Sequence, residues 1–331
     1  MNVMMEAILT LPDQFRWGLD LDPAPIDADR PIVLLGMGGS AMAASVASLV
    51  ADSARPVTVH RSYGLPEWAV PSEAAVIAVS YSGNTEEVLS GVDAALDAGL
   101  PVAAVASGGR LAQLAEEREL PIVLVPAGMQ PRAGIGYQTA ATMQVLAASG
   151  VIADAAGELA EAAALVEDLL GGGSGPAVEE GSLIATRLHG KTTIIYGGFG
   201  VGAAAAYRWK TQLNENAKVP AYASELPEMN HNELEGWHQG TRDHFALVWL
   251  HDSRDHPRIT RRLDLSERVV GDTAVHAATI HSSGEGTLAR LSSLAIIGDV
   301  ASVAVAELAG TDPVPVETIE RFKNQLGKED Q

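Results

Sequence analysis

Short apolar runs alternate along this chain with longer segments whose apolar residues recur at helical spacing. In the first half these runs are four or five residues long and are bounded by turn-forming residues, which is typical of buried strands. The strands predicted there are 31–35, 56–60, 75–79, 102–105 and 122–125. Helices are predicted to begin at Ser40, Asn84 and Arg110. Because parallel strands need helical crossovers, this alternation predicts a mainly parallel sheet flanked by helices.

The second half repeats this arrangement after a helical stretch and a glycine-rich break. Helices are predicted at 137–149 and 155–170, and the segment 171–176 (Gly-Gly-Gly-Ser-Gly-Pro) stops any continuation. The strands predicted beyond it are 192–196, 219–222, 245–250 and 273–277. The helices predicted there lie after Gly200, near Pro257, from Glu285 and from Glu317. We therefore expect an α/β fold with two domains, 1–153 and 177–331, joined by a helical connection and linker at 154–176.

A weak internal repeat supports this division. The segment 33–43 aligns without a gap with 194–204, and each reads as a strand, a glycine-rich turn and an alanine-rich helix. Duplication and convergence on a favourable turn both explain the match, because glycine is preferred in any such turn. The two copies differ in chemistry, since only the first carries a hydroxyl, that of Ser40.

Composition narrows the function classes. The 331 residues contain no cysteine, which excludes disulfides, thiolate metal sites and a cysteine nucleophile and favours a cytoplasmic location. Acidic residues number 42 against 22 basic ones, and the formal charge of -20 argues against a nucleic-acid partner. The N-terminal ten residues have no lysine or arginine before their apolar stretch, so no secretory signal is expected. No 18-residue apolar run lacks a polar or turn-forming interruption, so we expect no membrane span.

The first candidate site is the turn Gly36-Met37-Gly38-Gly39-Ser40. Glycines permit close backbone approach, and the start of the following helix offers free N–H groups that suit a phosphate. Gly36, Gly38 and Ala41 also fit the dinucleotide fingerprint G-x-G-x-x-A, which requires an acidic residue at the end of the next strand. His60 and Arg61 stand there instead, which argues against a nicotinamide cofactor. A simple tight turn remains the alternative.

The second candidate site is the loop Ser80-Tyr81-Ser82-Gly83-Asn84-Thr85, between an apolar strand and a helix. The hydroxyls of Ser80, Ser82 and Thr85, together with free N–H groups at a helix start, can surround phosphate oxygens without a formal positive charge. The alternative is an extended helix cap, although a cap needs only one hydroxyl.

A third group of polar residues lies in the second half, in the segments 208–218 and 228–233. Glu228 and His231 have the i, i+3 spacing of carboxylate-bridged metal sites, but the chain has no convincing second Glu-x-x-His. We therefore predict no metal.

Seven motifs together resemble one family over nearly the whole chain. They are G-M-G-G-S at 36–40, S-Y-S-G-N-T at 80–85, P-R-A-G at 131–134, N-E-N-A-K at 214–218, M-N-H-N-E at 229–233, D-P-V-P at 312–315 and F-K-N-Q-L at 322–326. In their order and spacing the chain resembles the bifunctional phosphoglucose/phosphomannose isomerase family, which is built from two sugar isomerase (SIS) domains. The resemblance implies two SIS-type domains, each a mainly parallel sheet flanked by helices.

The resemblance also implies a role for each matching residue. The family's phosphate loop falls on Gly39, Ser40, Ser80, Ser82 and Thr85. The catalytic positions fall on Glu215 as the base, His231 as the ring-opening residue, Lys323 as an assistant at the ring oxygen and Arg132 as the cation that stabilises the enediolate. In relatives the histidine comes from across a dimer interface, so a homodimer with shared sites is implied.

The implied reaction interconverts glucose 6-phosphate and/or mannose 6-phosphate with fructose 6-phosphate through a cis-enediol, without a cofactor. The chain departs from relatives at Gly134 and Gly136, in a turn with more glycine, and at Val314, where relatives often have a hydroxyl residue. Two other functions stay open: a sugar-phosphate-binding regulatory protein without turnover, and a ketose-amine isomerase acting on amino sugars, although no cysteine is present to release ammonia.

Overall fold

A computed structural model describes residues 2–26, 29–51, 55–238 and 244–329, with residues 327–329 described by their backbone alone. The first half opens with two short helices and then alternates strands with helices. The helices are α1 (Val3–Leu9), α2 (Leu11–Trp17), α3 (Gly38–Val50), α4 (Glu86–Asp97), α5 (Gly109–Glu117), α6 (Ile135–Ala148) and α7 (Ala155–Leu170). The strands are β1 (Ile32–Leu35), β2 (Val57–His60), β3 (Ala75–Ser80), β4 (Val102–Ala106) and β5 (Ile122–Leu124).

The second half has the same kind of alternation. Its helices are α8 (Pro176–Leu188), α9 (Val201–Gln212), α10 (Glu233–Gly236), α11 (Pro257–Val270), α12 (Thr287–Leu308) and α13 (Glu317–Glu329). Its strands are β6 (Thr192–Gly198), β7 (Ala221–Leu226), β8 (Phe245–His251) and β9 (Val275–His281).

The strands form two separate parallel sheets, in the orders β2-β1-β3-β4-β5 and β7-β6-β8-β9. Every residue of β1, β3 and β4 is buried, as expected for strands covered by helices on both faces. The predicted α/β class and parallel sheets are therefore confirmed. In each sheet the first strand lies between the second and the third, so the strand order reverses there, which places a crevice at the carboxyl ends of β1 and β3 and another at those of β6 and β8.

Several boundaries differ from the prediction. Strand β7 begins at Ala221 and runs to Leu226, further along than 219–222, and β9 begins at Val275 rather than at residue 273. Helices α1, α2, α8 and α10 were not predicted. Pro12 and Pro176 stand near the starts of α2 and α8, where proline is compatible with a helix.

Helix α12 lies at the centre of the molecule and packs on α7, α8 and α9. Nearly all its residues are buried, so its apolar residues surround the whole helix rather than one face. Among the described helices it is the one long and apolar enough to cross a membrane, and 83% of its most apolar window is buried inside the protein. It therefore has the burial of a core helix.

Candidate active site

The glycine-rich turn after β1 lies directly on the loop that carries Arg132. Gly38 adopts the left-handed conformation at φ +53°, which favours glycine. A Cβ on Gly39 would lie 3.2 Å from the Pro131 carbonyl oxygen and 3.3 Å from Arg132 Cα. No side chain caps the start of α3. The turn thus brings an uncapped helix start against the Arg132 loop.

Ser40 joins this turn to the second loop. Its buried hydroxyl donates to Gln138 Oε1 at 2.6 Å and accepts from the Tyr81 N–H at 3.1 Å. Gln138 in turn donates from Nε2 to the Pro131 carbonyl at 2.9 Å. Because a hydroxyl has a single proton, that of Ser40 is engaged by the protein. Ser40 therefore fixes the two turns and the Arg132 loop relative to one another.

The second loop leaves two hydroxyl protons available. Ser80 donates to Thr85 Oγ1 at 2.9 Å, and Ser82 is exposed, its oxygen accepting from the Asn84 N–H at 3.2 Å. Thr85 stands at the N-cap position of α4 but makes no side-chain hydrogen bond to the helix. An extended cap would use that hydroxyl, so the geometry favours the anion-binding interpretation of this loop.

Backbone packing holds the second loop in place. Gly83 has φ +66°, and a Cβ there would lie 1.8 Å from the Gly108 carbonyl oxygen, so only glycine fits. The side chain of Asn84 accepts from the Arg110 N–H at 2.9 Å. The loop between β4 and α5 therefore packs against the hydroxyl loop and fixes its conformation.

The guanidinium of Arg132 is buried and connects three parts of the chain. Its Nε donates to Asn216 Oδ1 at 2.7 Å, and its Nη2 donates to the carbonyls of Pro313 and Val314 at 2.7 and 2.9 Å. Its Nη1 lies 3.4 Å from Glu215 Oε2. Burial lowers the pKa of Arg132, while the charge of Glu215 raises it. The cation is thus desolvated and held beside a carboxylate.

Glu215 lies on a π-helical turn, Leu213–Ala217, that continues α9. Such turns are rare and occur frequently at functional sites. The Glu215 side chain is 25% exposed and lines a 640 Å³ cavity together with Lys218 and residues of the segments 311–312 and 315–319. Next to it, Asn216 donates to Ser302 on α12 at 2.9 Å. The turn is therefore anchored on one side and open to a cavity on the other.

Lys218 belongs to this site, although the sequence analysis gave it no role. It has φ +57°, which is uncommon for a residue with a side chain, and it follows directly after the π-helical turn. Its ammonium donates to the carbonyl of Glu215 and to that of Pro313, the latter at 3.3 Å. The Lys218 residue is exposed overall, but desolvation of its ammonium against the protein lowers its pKa, and so does the charge of Arg132. Its position at the end of the N-E-N-A-K motif was the available signal.

The sequence analysis also gave no indication of a buried ion pair that contacts the Arg132 loop. Arg208 on α9 and Asp299 on α12 lie 2.8 Å apart, with side chains 5% and 4% exposed. The same nitrogen of Arg208 donates to the carbonyl of Arg132 at 3.0 Å. Burial raises the pKa of Asp299, against the effect of Arg208. This pair therefore ties the second half of the chain to the Arg132 loop.

The remaining two predicted catalytic residues are His231 and Lys323. His231 ends a short 3-10 turn, Glu228–His231, and is exposed; Lys323 is exposed on α13. Within the ranges that the structure describes, neither side chain makes a hydrogen bond or ion pair with Arg132 or Glu215. In the same ranges, no group of three or more histidines and acidic residues could hold a metal ion.

The second sheet has a corresponding crevice with other side chains. A 490 Å³ cavity there is lined by the turn at Gly200 and by Asp252, Asp255 and Arg290. Arg290 and Asp252 form a buried ion pair, each side chain 6% exposed. Burial raises the pKa of Asp255 to about 6. This crevice presents two carboxylates and the arginines Arg254 and Arg290 where the first presents hydroxyls.

Comparisons with known proteins agree with this architecture. Residues 177–326 match a family model described as the bacterial phospho-glucose isomerase C-terminal SIS domain. A bifunctional phosphoglucose/phosphomannose isomerase from Caldicellulosiruptor bescii is 34% identical, covering 98% of this chain and 99% of the relative. One of the same name from Aquifex aeolicus is 36% identical over 96% of each chain.

Among solved structures, a hypothetical protein from Thermus thermophilus is similar in fold, with a TM-score of 0.77 at 14% identity. That likeness covers 99% of this chain and 90% of the other. The similarity to the curated relatives extends from the hydroxyl loop through the π-helical turn to the C-terminal segment. The chain therefore belongs to the bifunctional phosphoglucose/phosphomannose isomerase family.

Proposed function

We propose that this protein is a sugar-phosphate isomerase that interconverts glucose 6-phosphate, mannose 6-phosphate or both with fructose 6-phosphate. The observation that carries the proposal is the position of Arg132. Its backbone lies against Gly39 in the first crevice, and its guanidinium lies 3.4 Å from Glu215, a carboxylate from the other half of the chain. A single residue thus links the anion-binding crevice to a carboxylate.

The first crevice holds the phosphate in this proposal. The hydroxyls of Ser82 and Thr85 donate to phosphate oxygens, and the uncapped starts of α3 and α4 add N–H groups and the positive ends of two helix dipoles. Gly39 lets the Arg132 loop pack against the turn, where its backbone completes the phosphate site, and Ser40 and Ser80 position the loop. Binding energy gained at the phosphate, away from the reacting carbons, orients the sugar.

Glu215 moves the proton in the proposed reaction. Its carboxylate removes the proton from C2 of the open-chain aldose and returns it to C1, or the reverse, through a planar enediol, while the hydroxyl proton on O2 passes to O1. Negative charge develops on the two sugar oxygens as the proton leaves. Arg132 stabilises this charge, since a fixed cation in a water-poor site requires little reorganisation. Proton transfers alone require no cofactor, and the planar intermediate is common to the glucose and mannose epimers.

We assign ring opening to His231, with Lys323 at the ring oxygen. Both side chains are exposed, and in the described part of one chain neither is hydrogen-bonded or ion-paired to Arg132 or Glu215. A homodimer in which His231 serves the partner's site would complete the set, and its mass in solution would be twice 34.5 kDa. We place this dimer in the cytoplasm, in keeping with its lack of cysteine, and its charge of -20 per chain argues against nucleic acid as a partner.

We also propose that the two sheets belong to two domains, 1–153 and 177–331, with 154–176 as the connection. The separate sheets and the family match over residues 177–326 support this division.

The direct test incubates the pure protein with each of the three sugar phosphates. Interconversion is expected, and Glu215→Gln should lower kcat by about 1,000-fold because it removes the proton acceptor. Glu179→Gln, on the exposed face of α8, is the matched control and should equal wild type. No interconversion, or an equally active Glu215→Gln variant, would overturn the proposal. Binding without turnover would favour the regulatory alternative.

A further inference from the structure

Arg132 has few donors to spare for a substrate. A guanidinium has five N–H groups. Three of them are used by Asn216, Pro313 and Val314, at 2.7 to 2.9 Å. The remaining two belong to Nη1, which lies 3.4 Å from both Gln130 Oε1 and Glu215 Oε2. Only Nη1 is therefore open to new partners.

An enediolate accepts more hydrogen bonds than a single nitrogen can donate. Its negative charge is shared by the oxygens on C1 and C2, and each oxygen accepts more than one hydrogen bond. Since Nη1 must also stay beside Glu215, a second cationic donor is needed at the reacting end of the sugar. The described part of the chain has one further ammonium in contact with the Glu215 turn, that of Lys218.

The position of Lys218 suits this task. Two of its three N–H groups go to the carbonyls of Glu215 and Pro313, which leaves one donor. The side chain lines the 640 Å³ cavity into which Glu215 also opens. The two carbonyls orient the ammonium, so the remaining N–H has a fixed direction beside the carboxylate.

We propose that Lys218 is a catalytic residue, whose ammonium binds a sugar oxygen next to Glu215 and stabilises the enediolate together with Arg132. This inference rests on the proposed isomerase function and deepens it. The lowered pKa of the ammonium accords with its position beside Arg132 and makes it a stronger hydrogen-bond donor to an anionic oxygen. Lys323 keeps a separate role at the ring oxygen.

The competing explanation is a purely structural one, in which Lys218 only ties the Pro313 turn to the π-helical turn. The backbone conformation provides a way to separate the two. At φ +57° glycine is favoured, so Lys218→Gly removes the side chain while relieving backbone strain. Lys218→Met keeps the aliphatic stem and removes only the charge. Lys210→Met, on α9 where the ammonium lies 5.1 Å from the Tyr207 ring centroid, is the matched control.

The experiment measures kcat and two inhibition constants for each variant. One inhibitor is the hydroxamate of a five-carbon aldonic acid 5-phosphate, which mimics the charged, planar enediolate. The other is sorbitol 6-phosphate, which has the phosphate but no charge at C1 and C2. Both Lys218 variants should lose about 100-fold in kcat and in hydroxamate affinity, the usual effect of removing one such donor. Sorbitol 6-phosphate affinity should change less than about threefold, and Lys210→Met should match wild type.

Two results would overturn the assignment. One is a kcat within about threefold of wild type in both Lys218 variants. The other is an equal loss of affinity for the two inhibitors, which indicates a distorted site rather than a missing cation. If wild type itself turns over none of the sugar phosphates, the proposed isomerase function fails instead, and the two failures are thereby distinguished.

Discussion

The crevices at the carboxyl ends of β1 and β6 share a backbone design and differ in the side chains that face them. In each crevice the strand is followed by a glycine-rich turn and then by a helix whose start has no side-chain cap. In the second turn, a Cβ on Gly197 would lie 2.2 Å from the Gly202 carbonyl oxygen, so the close packing of turn and helix is retained there. Close backbone approach is therefore available in both halves.

The loops opposite these turns make the two crevices chemically different. Beside the first turn stand the hydroxyls of Ser82 and Thr85. In the second, a Cβ on Gly198 would lie 2.5 Å from Asp255 Oδ2, so the carboxyl of that residue lies against the turn. A phosphate dianion entering there would meet like charge, which costs several kcal/mol. A glycine-rich turn permits anion binding, and the neighbouring loop decides whether it occurs.

The largest expected effect comes from giving the first loop the charge of the second. Ser82→Asp places a carboxylate among the phosphate-binding groups, and kcat/KM for the sugar phosphates should fall by about 1,000-fold through like-charge repulsion. Steady-state kinetics with each substrate measures it. Ser253→Asp, at an exposed serine in the loop that carries Asp252 and Asp255, should leave kcat/KM within about twofold of wild type. Equal losses in both variants would show that the two crevices do not differ in this way.

A smaller effect distinguishes the buried ion pairs of the two halves. Arg208→Met and Arg290→Met should each lower the free energy of unfolding by about 3 kcal/mol, because each leaves a buried carboxylate uncompensated. Denaturant titration measures this loss. Only Arg208→Met should also lower kcat, by about 10-fold, since Arg208 holds the carbonyl of Arg132. The double variant Arg208→Met, Asp299→Leu should regain stability without regaining kcat.

A comparable loss of kcat in Arg290→Met would contradict this distinction, because Arg290 lies in the crevice to which we assign no chemistry.

The smallest effect concerns Asp255, whose pKa burial raises from 3.8 to about 6. A raised carboxyl pKa means that the folded state holds its proton longer than the unfolded state, so the free energy of unfolding falls as pH rises from about 4 to 6 and stays lower above. Asp255→Asn should therefore stabilise the protein by about 1 kcal/mol at about pH 7.5, after allowance for its partial exposure, and by nothing at about pH 3.5. Thermal unfolding at both pH values checks this, and a gain independent of pH would exclude the titration of Asp255 as its cause.

Much of the fold could be predicted from local signals. The strands of the first sheet, the glycine-rich turn and the hydroxyl loop were found because short apolar runs between turn residues specify buried parallel strands with little help from distant contacts. The first strand of the second sheet was predicted from 192 to 196 and observed as Thr192–Gly198. The start of β7 was predicted two residues too early because Val219 is apolar. Pairing with β6 begins only at Ala221.

The residues of the candidate site could likewise be predicted in part, but their contacts could not. Residue type and motif spacing identified Arg132 and Glu215, yet their separation of 83 positions carries no information on distance, and only the folded chain brings them to 3.4 Å. Lys218 gained its role from carbonyls contributed by its own turn and by Pro313, 95 positions away. The Arg208–Asp299 pair joins residues 91 positions apart.

The sequence by itself determined the alternation of strands and helices, the two glycine-rich turns and the hydroxyls of one loop, because backbone preference and hydrophobic period act over a few residues. The tertiary structure decided which hydroxyl protons remain free, which donors of Arg132 are already used and which lysine contacts the carboxylate turn. Those properties depend on burial and on partners from distant segments, and a hydrogen bond forms only where folding places donor and acceptor within about 3 Å.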